Sequence, residues 1–293
     1  MQDQAAKLRM MAKSQSDGDA DILGKAAKDT EQGPVNSVPQ ALITTPVRTI
    51  AITSGKGGVG KTNITANLGI AIAAQNKRVG LIDADLGLAN IDVILKLKPR
   101  YNIEHVIAGK RKLEEIFVRG PAGLMIIPAS SGTLSMANLP DLNRDKLIKD
   151  LIQCTLGFDI MFIDTGAGMS NIVVDFALAA KEIIVITTPE PTAIMDAYAM
   201  IKVISQHRKT DIGIIVNMVK TDHQAREVAA RIIVAARRHI NAQAHFMGYI
   251  LSDAAVSNAI FAQQPLIFKY PTSGAAQCIN ILAEKILADE KYI

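Results

Sequence analysis

The residues with the clearest chemical potential lie in one glycine-rich stretch, which begins at Ser54 and reads Ser-Gly-Lys-Gly-Gly-Val-Gly-Lys-Thr. A short β-type run, residues 47–53, precedes it, and a helical pattern opens near Thr62. Strand, glycine-rich loop and helix in this order are the context that a phosphate-binding loop requires. The glycines let the backbone turn tightly and direct successive N–H groups inward, while the following helix adds the positive end of its dipole. An ordinary glycine-rich turn is the alternative, and the complete spacing G-x-x-x-x-G-K-T argues against it.

This loop is expected to bind the phosphates of a nucleoside triphosphate. Lys61 can reach the β- and γ-phosphates, and the hydroxyl of Thr62 suits a magnesium ion. The residues expected to line the nucleotide here are Gly55, Gly57, Gly58, Val59, Gly60, Lys61, Thr62 and Asn63.

A second lysine, Lys56, lies inside the loop, so that its core reads Lys-Gly-Gly-Val-Gly-Lys-Thr. In this feature the sequence resembles the deviant-Walker ATPases of the MinD/ParA class, and the resemblance extends from about Arg48 to Leu287. It implies ATP and Mg²⁺ as cofactors and a homodimer in the ATP state. It also implies a catalytic role for Lys56, which would reach across the dimer interface to the partner's phosphates. A lysine that is merely exposed on a loop is the alternative.

Two acidic residues, Asp83 and Asp85, follow the second predicted strand. Alternation along a strand puts their carboxylates on one side, directed at the phosphates. Phosphoryl transfer to water needs a positioned nucleophile, magnesium, and cations that offset the developing charge. The resemblance implies that Asp83 supports the magnesium shell and that Asp85 positions the attacking water. Carboxylates that merely cap a turn are the alternative.

A third acidic residue, Asp164, ends an apolar β-type run and precedes a glycine-containing loop. The segment resembles a Walker B strand, which implies that Asp164 accepts a hydrogen bond from a magnesium-bound water and contributes to catalysis. Aspartate at a strand end also commonly caps a turn, so the pattern alone is a weak signal. We expect residues 165–168 to follow the γ-phosphate and to change shape on hydrolysis, as switch segments do.

Two further positions are assigned through the resemblance. Residues 187–192 are similar to the family's T-x-P-E turn, which implies that Glu190 contacts the nucleotide of the partner subunit. Asn217 is similar to the family asparagine whose amide reads the adenine edge. A charge at a helix N-terminus and a turn-forming asparagine are the respective alternatives. Leu251 stands where the family pattern G-x-I-P-x-D has proline, which leaves the detail of the adenine pocket open.

From Arg48 onward the chain alternates apolar β-type runs with helical patterns. The predicted strands are 48–53, 78–82, 123–127, 158–163, 182–187, 211–217 and 245–250. The predicted helices are 61–75, 90–95, 102–108, 143–154, 171–180, 192–207, 222–240, 253–261 and 273–289. This order predicts an α/β fold with a doubly wound, mainly parallel sheet flanked by helices, in which ligands lie beyond the carboxyl ends of the strands.

The segment before this domain has a different composition. Residues 2–13 favour a helix with a narrow apolar face, and residues 14–46 are rich in glycine, proline and polar residues, which predicts a flexible linker. On physical grounds alone a disordered terminus is favoured for residues 1–13, because so thin an apolar stripe would not hold an isolated helix in water. The MinD-like P-loop ATPase domain is expected to cover residues 47–293.

The first residues nevertheless carry a motif. Residues 3–9 match the element D-Q-A-x-x-L-R, which lies at the N-terminus of FlhG-type (FleN-type) flagellar number regulators. The resemblance implies that residues 1–13 form an activator helix that stimulates an FlhF-type GTPase of the signal-recognition-particle class. The side chains expected to make this contact are Asp3, Gln4, Leu8 and Arg9. It also implies a flagellar transcription activator and basal-body components as partners.

Composition limits the possible ligands and the location of the protein only broadly. The chain has 293 residues, 49% of them hydrophobic, and a net charge of 32 − 28 = +4. This excess is compatible with nucleotides, anionic lipid or nucleic acid, and too small to demonstrate any of them. The start of the chain lacks the apolar core of a signal peptide, so we expect a cytoplasmic protein, with peripheral contact at the inner membrane face or cell pole left open. Cys154 and Cys278 fit neither a metal pair nor a disulfide framework.

Two surfaces are ambiguous in the sequence. The predicted helix 222–240 carries several arginines, which favour a solvated face over a nucleic-acid patch, so direct nucleic-acid binding is not expected. Ile279, Leu282 and Ile286 form a stripe that favours core packing over membrane insertion.

A general positioning or partition ATPase is an alternative to a flagellar regulator, and it would share the domain but not the motif in residues 3–9. An iron–sulfur carrier would need a cysteine pair placed between subunits, which Cys154 and Cys278 do not offer. A bacterial tyrosine kinase would need a terminal tyrosine cluster, and the chain has only Tyr292 there. A nucleotide-sensing module with negligible hydrolysis is opposed by the intact set of lysine and aspartate residues.

Overall fold

The computed structural model of the protein describes residues 47–85, 90–129, 141–154 and 157–288. The predicted activator helix 1–13 and the predicted linker 14–46 lie outside these residues, as does the motif in residues 3–9.

The described residues form one eight-stranded sheet with the strand order β3-β4-β2-β5-β1-β6-β7-β8. All neighbouring pairs are parallel except β3 and β4, which run antiparallel at one edge. The strands are β1 (Arg48–Ser54), β2 (Val79–Ala84), β3 (Val118–Arg119), β4 (Met125–Ile127), β5 (Ile160–Ala167), β6 (Glu182–Thr187), β7 (Asp211–Val219) and β8 (Gln243–Leu251). The prediction of a mainly parallel sheet is confirmed.

Helices connect the parallel strands, as crossover connections require, and three more helices follow β8 in the described residues. They are α1 (Lys61–Ala73), α2 (Ile91–Ile94), α3 (Ile103–Ile107), α4 (Asp141–Gln153), α5 (Asn171–Ala179), α6 (Pro191–His207), α7 (Asp222–Ile240), α8 (Ala254–Phe261), α9 (Leu266–Lys269) and α10 (Gly274–Ala288). Short 3₁₀ turns cover Leu113–Glu115 and Pro121–Gly123.

The central strands are buried on both faces, because helices cover each side of the sheet. On β1, Ile50 and Ile52 pack into the core that α1 and α10 close, whereas Ala51 between them packs on the opposite side with α5. Successive side chains of a strand point to opposite faces, so a strand covered on both sides needs apolar residues throughout. The uninterrupted apolar run of β6 meets the same requirement.

Several predicted boundaries differ from the structure. The sheet has an edge strand, β3, that was not predicted, because two residues are too few to show a β period. The predicted strand 123–127 is shorter, since a 3₁₀ turn occupies its first residue and β4 begins at Met125. The four-residue helix α9 was also missed.

The position of the apolar stripe on α10 decides between core packing and membrane insertion. Ile279, Leu282 and Ile286 are all buried and pack against the core beneath α1 and β8, which confirms the core-packing interpretation. Within the described parts of the chain, no helix combines the length and the apolar character needed to cross a membrane.

Candidate active site

The glycine-rich loop leaves the carboxyl end of β1 and leads into α1. Its Gly60 has a φ of 88°, and a β-carbon there would overlap the side-chain amide of Asn217. A β-carbon at Gly55 would overlap the backbone of Asp196 on α6. The loop therefore takes this course only with glycine at both positions, because one needs a left-handed conformation and both are closely approached by neighbouring elements.

The first turn of α1 is prepared for an anion. The helix begins at Lys61, and its N-cap is Gly60, so no side chain caps it. Its first turn also contains no acidic residue. The first N–H groups of a helix lack partners within the helix and, with the helix dipole, attract phosphate. The structure thus supports the predicted phosphate-binding role of the loop.

A buried ion pair joins this helix to β5. The Lys61 Nζ lies 3.1 Å from Oδ1 of Asp164, and both side chains are almost completely buried. The Thr65 hydroxyl also donates to this oxygen, over 3.2 Å. The sequence prediction missed Thr65, although its spacing from Lys61 puts both on one helix face. Together they fix the Asp164 carboxylate beside the start of α1.

The predicted magnesium residues converge at the same place. Asp83 and Asp164 are register partners on the adjacent strands β2 and β5, so their Cα atoms face each other. Burial, followed by the nearby charge of Asp164, raises the pKa of Asp83 to about 8. Burial also raises the pKa of Asp164, while Lys61, Thr62 and Thr65 oppose the shift.

The carboxylates of Asp83 and Asp164, here called the acidic cluster, fit a hydrated magnesium ion. The Oδ2 atom of Asp164 is buried and has no hydrogen-bond partner among the described residues. Such an oxygen is costly unless a donor meets it, and a metal-bound water is one. Oxygen ligands and retained waters are what Mg²⁺ prefers in proteins. Thr62, Asp83 and Asp164 are therefore the residues that would hold the ion, directly or through its waters.

Asp85 lies between this cluster and the loop after Asp164. Its backbone N–H donates to Oδ1 of Asp83 over 3.2 Å. A β-carbon added at Gly166 would lie 3.7 Å from Oδ1 of Asp85, so the carboxylate faces the predicted switch residues. The N–H of Gly168 donates to the carbonyl of Ser54, which ties that segment to the end of β1.

Lys56 has a different setting from Lys61. Its Nζ lies 2.6 Å from Oε2 of Glu190 and 2.9 Å from the hydroxyl of Thr192, both at the start of α6. The side chains of Lys56 and Glu190 are 37% and 66% exposed. The structure thus brings two predicted site residues together within one subunit. The predicted contacts of Lys56 and Glu190 with a partner subunit stay predictions.

Asn217 is buried against the phosphate-binding loop. Its Nδ2 donates to the carbonyl of Val59 over 2.8 Å, and its Oδ1 accepts from the N–H of Met218. These bonds fix the side chain beside Gly60, and reading of an adenine edge stays a prediction. Beyond Leu251, Asp253 accepts from the N–H groups of Ala255 and Ala275 and so caps α8 and joins it to α10.

The other predicted residues of the phosphate-binding loop differ in how far they are exposed. Gly57 and Gly58 are exposed, whereas Val59 is buried in the core. Thr62 and Asn63 are half-buried in the first turn of α1. The four predicted partner-binding residues, Asp3, Gln4, Leu8 and Arg9, lie outside the described residues.

Comparison with known proteins gives the family of the chain. Residues 46–287 match the ParA family, described as an NUBPL iron-transfer P-loop NTPase. The chain is 38% identical to the antiactivator FleN of Pseudomonas aeruginosa, over 82% of this chain and 86% of that protein. It is 35% identical to the flagellum site-determining protein YlxH of Helicobacter pylori, over 80% of each chain.

A solved structure shows the same fold. The septum site-determining protein MinD from Pyrococcus horikoshii, complexed with Mg-ADP, aligns with a TM-score of 0.70 and 26% identity. The alignment covers 83% of this chain and 97% of that one. The chain that carries this phosphate-binding loop and the carboxylates of Asp83 and Asp164 therefore belongs to the ParA/MinD family of P-loop ATPases. Its nucleotide is ATP and its metal ion is Mg²⁺.

Proposed function

We propose that this chain is an ATP-switched homodimer that regulates the number and placement of flagella. Two relatives matched over about four fifths of the chain support the biological role, one an antiactivator and the other a flagellum site-determining protein. The geometry supports ATP binding, because the phosphate-binding loop, Lys61 and the carboxylates of Asp83 and Asp164 converge at the carboxyl edge of the sheet.

The observation that carries the switch is the unequal placement of two lysines in one loop. Lys61 is buried and paired with Asp164 inside its own subunit. Lys56 is exposed at the same edge of the sheet, where a second subunit can approach it. In the proposed dimer, ATP brings two subunits face to face, and each contributes Lys56 to the phosphates bound by the other.

Within each subunit, the side chains divide the work of hydrolysis. Lys61 keeps its place beside Asp164 and donates to the β- and γ-phosphates, and Asp85 orients the attacking water towards the γ-phosphate. Thr62, Asp83 and Asp164 hold the magnesium shell, and Asn217 contacts the adenine. Magnesium, when bound, offsets the negative charge that develops on the phosphate oxygens. Hydrolysis then removes the γ-phosphate, and the subunits separate.

Residues 1–13 supply the second part of the proposal. They form an activator helix that stimulates an FlhF-type GTPase through Asp3, Gln4, Leu8 and Arg9, with residues 14–46 as a linker. The ATP-state dimer presents surfaces to a flagellar transcription activator and to basal-body components. The protein acts in the cytoplasm, with peripheral contact at the inner membrane face or the cell pole.

A peptide experiment tests the flagellar assignment. A synthetic peptide of residues 1–20 is added to an FlhF-type GTPase, with a Gln4→Ala peptide of the same length as the matched control. We expect GTP turnover to rise with the first peptide and to stay at its basal rate with the second. Equal rates with both peptides would remove the activator role and leave the ATPase switch to be judged separately.

A second candidate is a general positioning ATPase, favoured by the fold match to the septum site-determining protein MinD. It predicts ATP-dependent dimers without GTPase stimulation by residues 1–20. A third candidate, a binding module with negligible hydrolysis, is tested by comparing ATP turnover with that of Asp85→Ala. Equal turnover in the two proteins would favour it.

Iron transfer, which the family description names, is not proposed for this chain. Cys278 lies on the buried face of α10, and burial raises the pKa of its thiol. A cluster ligand needs an accessible thiolate, so this cysteine is unsuited to that role.

A further inference from the structure

One buried polar side chain of α1 has no part in the site described above. Asn67 is completely buried, and its amide joins two elements. Its Nδ2 donates to the backbone carbonyl of Asn63 over 2.9 Å and lies 3.3 Å from Oδ1 of the same residue. Its Oδ1 accepts from the N–H of Ile267 in α9 over 3.3 Å. A buried amide with partners on both sides holds its neighbours in one arrangement.

The two backbone partners fix which way the Asn67 amide is turned. A carbonyl only accepts a hydrogen bond, and an N–H only donates one. The amide nitrogen of Asn67 therefore faces Asn63, and its oxygen faces Ile267. The reverse orientation would put an oxygen against an oxygen on one side and an N–H against an N–H on the other.

The orientation of Asn67 in turn fixes the side-chain amide of Asn63. Only Oδ1 of Asn63 can accept from Asn67 Nδ2, so Nδ2 of Asn63 is kept on the other side of its amide. Among the described residues, none accepts a hydrogen bond from this nitrogen. Asn63 is the third residue of α1, in the turn whose N–H groups and dipole attract phosphate. The amide of Asn63 thus offers one more donor at the anion site.

We propose that Asn67 is a positioning residue for nucleotide binding, which keeps the amide of Asn63 turned so that its Nδ2 donates to a phosphate oxygen. Asn67 acts one helical turn away from the nucleotide and only through Asn63. This inference rests on the nucleotide site that the proposed function uses. It involves neither dimerisation nor residues 1–13.

The test measures the dissociation constant of Mg-ADP for the full chain, with a fluorescent group on the ribose of the ADP. ADP replaces ATP so that dimerisation does not enter the measurement. Asn67→Asp keeps the shape but has no N–H, so Asn63 can meet it only by turning its own Nδ2 inward. We expect Asn63→Ala and Asn67→Asp each to weaken binding about tenfold, as loss of a hydrogen bond to a charged group does.

Asn67→Leu keeps the test decisive if a buried aspartate prevents folding. Its apolar side chain suits the core and releases the Asn63 amide without inverting it. Half of the amide orientations then bind, so the dissociation constant of Mg-ADP should rise about twofold. Binding as tight as in the unchanged protein would overturn the proposal.

Thr49→Val is the matched control. Thr49 is also buried, and its hydroxyl accepts from the N–H of Lys181, which precedes β6 at the amino edge of the sheet. Removing this contact should lower the free energy of unfolding and leave the dissociation constant of Mg-ADP unchanged. A weakening equal to that of Asn67→Asp would mean that lost stability causes the effect, and would overturn the proposal.

A double variant separates the amide from the charge of the new carboxylate, which would itself repel phosphate. The proposal requires Asn67→Asp to weaken binding far less in Asn63→Ala than in the unchanged protein, since Asn67 acts through Asn63. Equal weakening in both proteins would assign the effect to charge alone and would contradict the proposal.

Nuclear magnetic resonance gives a readout that a loss of stability does not move. The side-chain NH₂ signal of Asn63 should shift downfield when Mg-ADP is added to the unchanged protein and to Thr49→Val, and stay in place in Asn67→Asp. The same shift in all three proteins would overturn the inference. Failure of the unchanged protein to bind Mg-ADP would instead remove the nucleotide site, and with it both the proposed function and this inference.

Discussion

The phosphate-binding loop carries two lysines, and each pairs with a carboxylate from another element. The two pairs differ in their exposure to solvent, which their distances do not reveal. Lys56 and Glu190 approach to 2.6 Å, and Lys61 and Asp164 to 3.1 Å. The shorter pair is open to water, where an ion pair typically contributes about 0 to 1 kcal/mol. The longer pair is buried, and removing one partner there leaves an uncompensated charge in the interior. Burial, and not distance, separates a fixed contact from one that can be exchanged.

This difference matches the two tasks of an ATP switch. The buried lysine, Lys61, acts in the nucleotide site of its own subunit and has to stay in place. The exposed lysine can leave its partner at little cost, which suits a residue that serves another subunit. Substitutions on the buried side should therefore have the largest effects on folding, and substitutions on the exposed side the smallest.

The largest expected effect lies at Asp83, in the acidic cluster beside Lys61. Its pKa rises from 3.8 to about 8 because of burial, so the native state binds this proton more tightly than the unfolded chain. The free energy of unfolding of the nucleotide-free protein should therefore fall as pH rises from about 4 to about 8, by an amount of order 5 kcal/mol. Asp83→Asn should remove this part of the fall and leave only the part that comes from Asp164, whose pKa burial also raises.

Urea unfolding in EDTA at pH 5 and at pH 8.5 measures this effect, and Asp222→Asn serves as an exposed control. The same decline with pH in Asp83→Asn and in the unchanged protein would show that the buried carboxylate is not its source.

The second effect is at Lys61. Lys61→Ala leaves the Asp164 carboxylate buried without its cation, so we expect the free energy of unfolding at pH 7.5 to fall by roughly 3 kcal/mol. ATP turnover should fall below detection, since the lysine that binds the phosphates is gone. If the free energy of unfolding fell by less than about 1 kcal/mol, the Lys61–Asp164 pair would contribute no more than an exposed ion pair, and the two lysines would not differ as described.

The smallest effect on folding is expected at Lys56. Lys56→Ala should change the free energy of unfolding by less than about 1 kcal/mol, because its ion pair is exposed. The same variant should nevertheless lose ATP-dependent dimerisation while the monomer still binds nucleotide. Dimers that persist at the level of the unchanged protein would remove Lys56 from the interface.

The sequence predicted the site best where the chemistry is local. The residue spacing from Gly55 to Thr62 is itself the motif of a phosphate-binding loop. Asp83 and Asp164 each follow an apolar run in the sequence, so a parallel sheet must bring both to its carboxyl edge. The parallel architecture followed from the same apolar runs. A two-residue strand such as β3 shows no period, and its existence depends on the neighbour with which it pairs.

Contacts between distant segments were not accessible to the same reasoning. The bond from Lys56 to Thr192 joins residues 136 positions apart, and the bond from Asn217 to Val59 joins residues 158 positions apart. Which side chain meets which depends on how α6 and β7 pack beside the loop. Thr65 is an intermediate case, since helical spacing puts it on the face of Lys61 although no motif marks it.

The most direct test of the account mixes two inactive variants. Lys56→Ala lacks the lysine that is donated across the interface, and Asp85→Ala lacks the residue that orients water. In a mixed dimer the Lys56→Ala subunit keeps Asp85 and receives Lys56 from its partner, so one of the two sites is complete. We predict that mixing equal amounts restores ATP turnover to at most about a quarter of the unchanged level. That value holds when half the dimers are mixed and each has one working site, and the weaker dimerisation of Lys56→Ala lowers the mixed fraction. Turnover no greater than the sum of the two variants alone would contradict a lysine that acts across the interface.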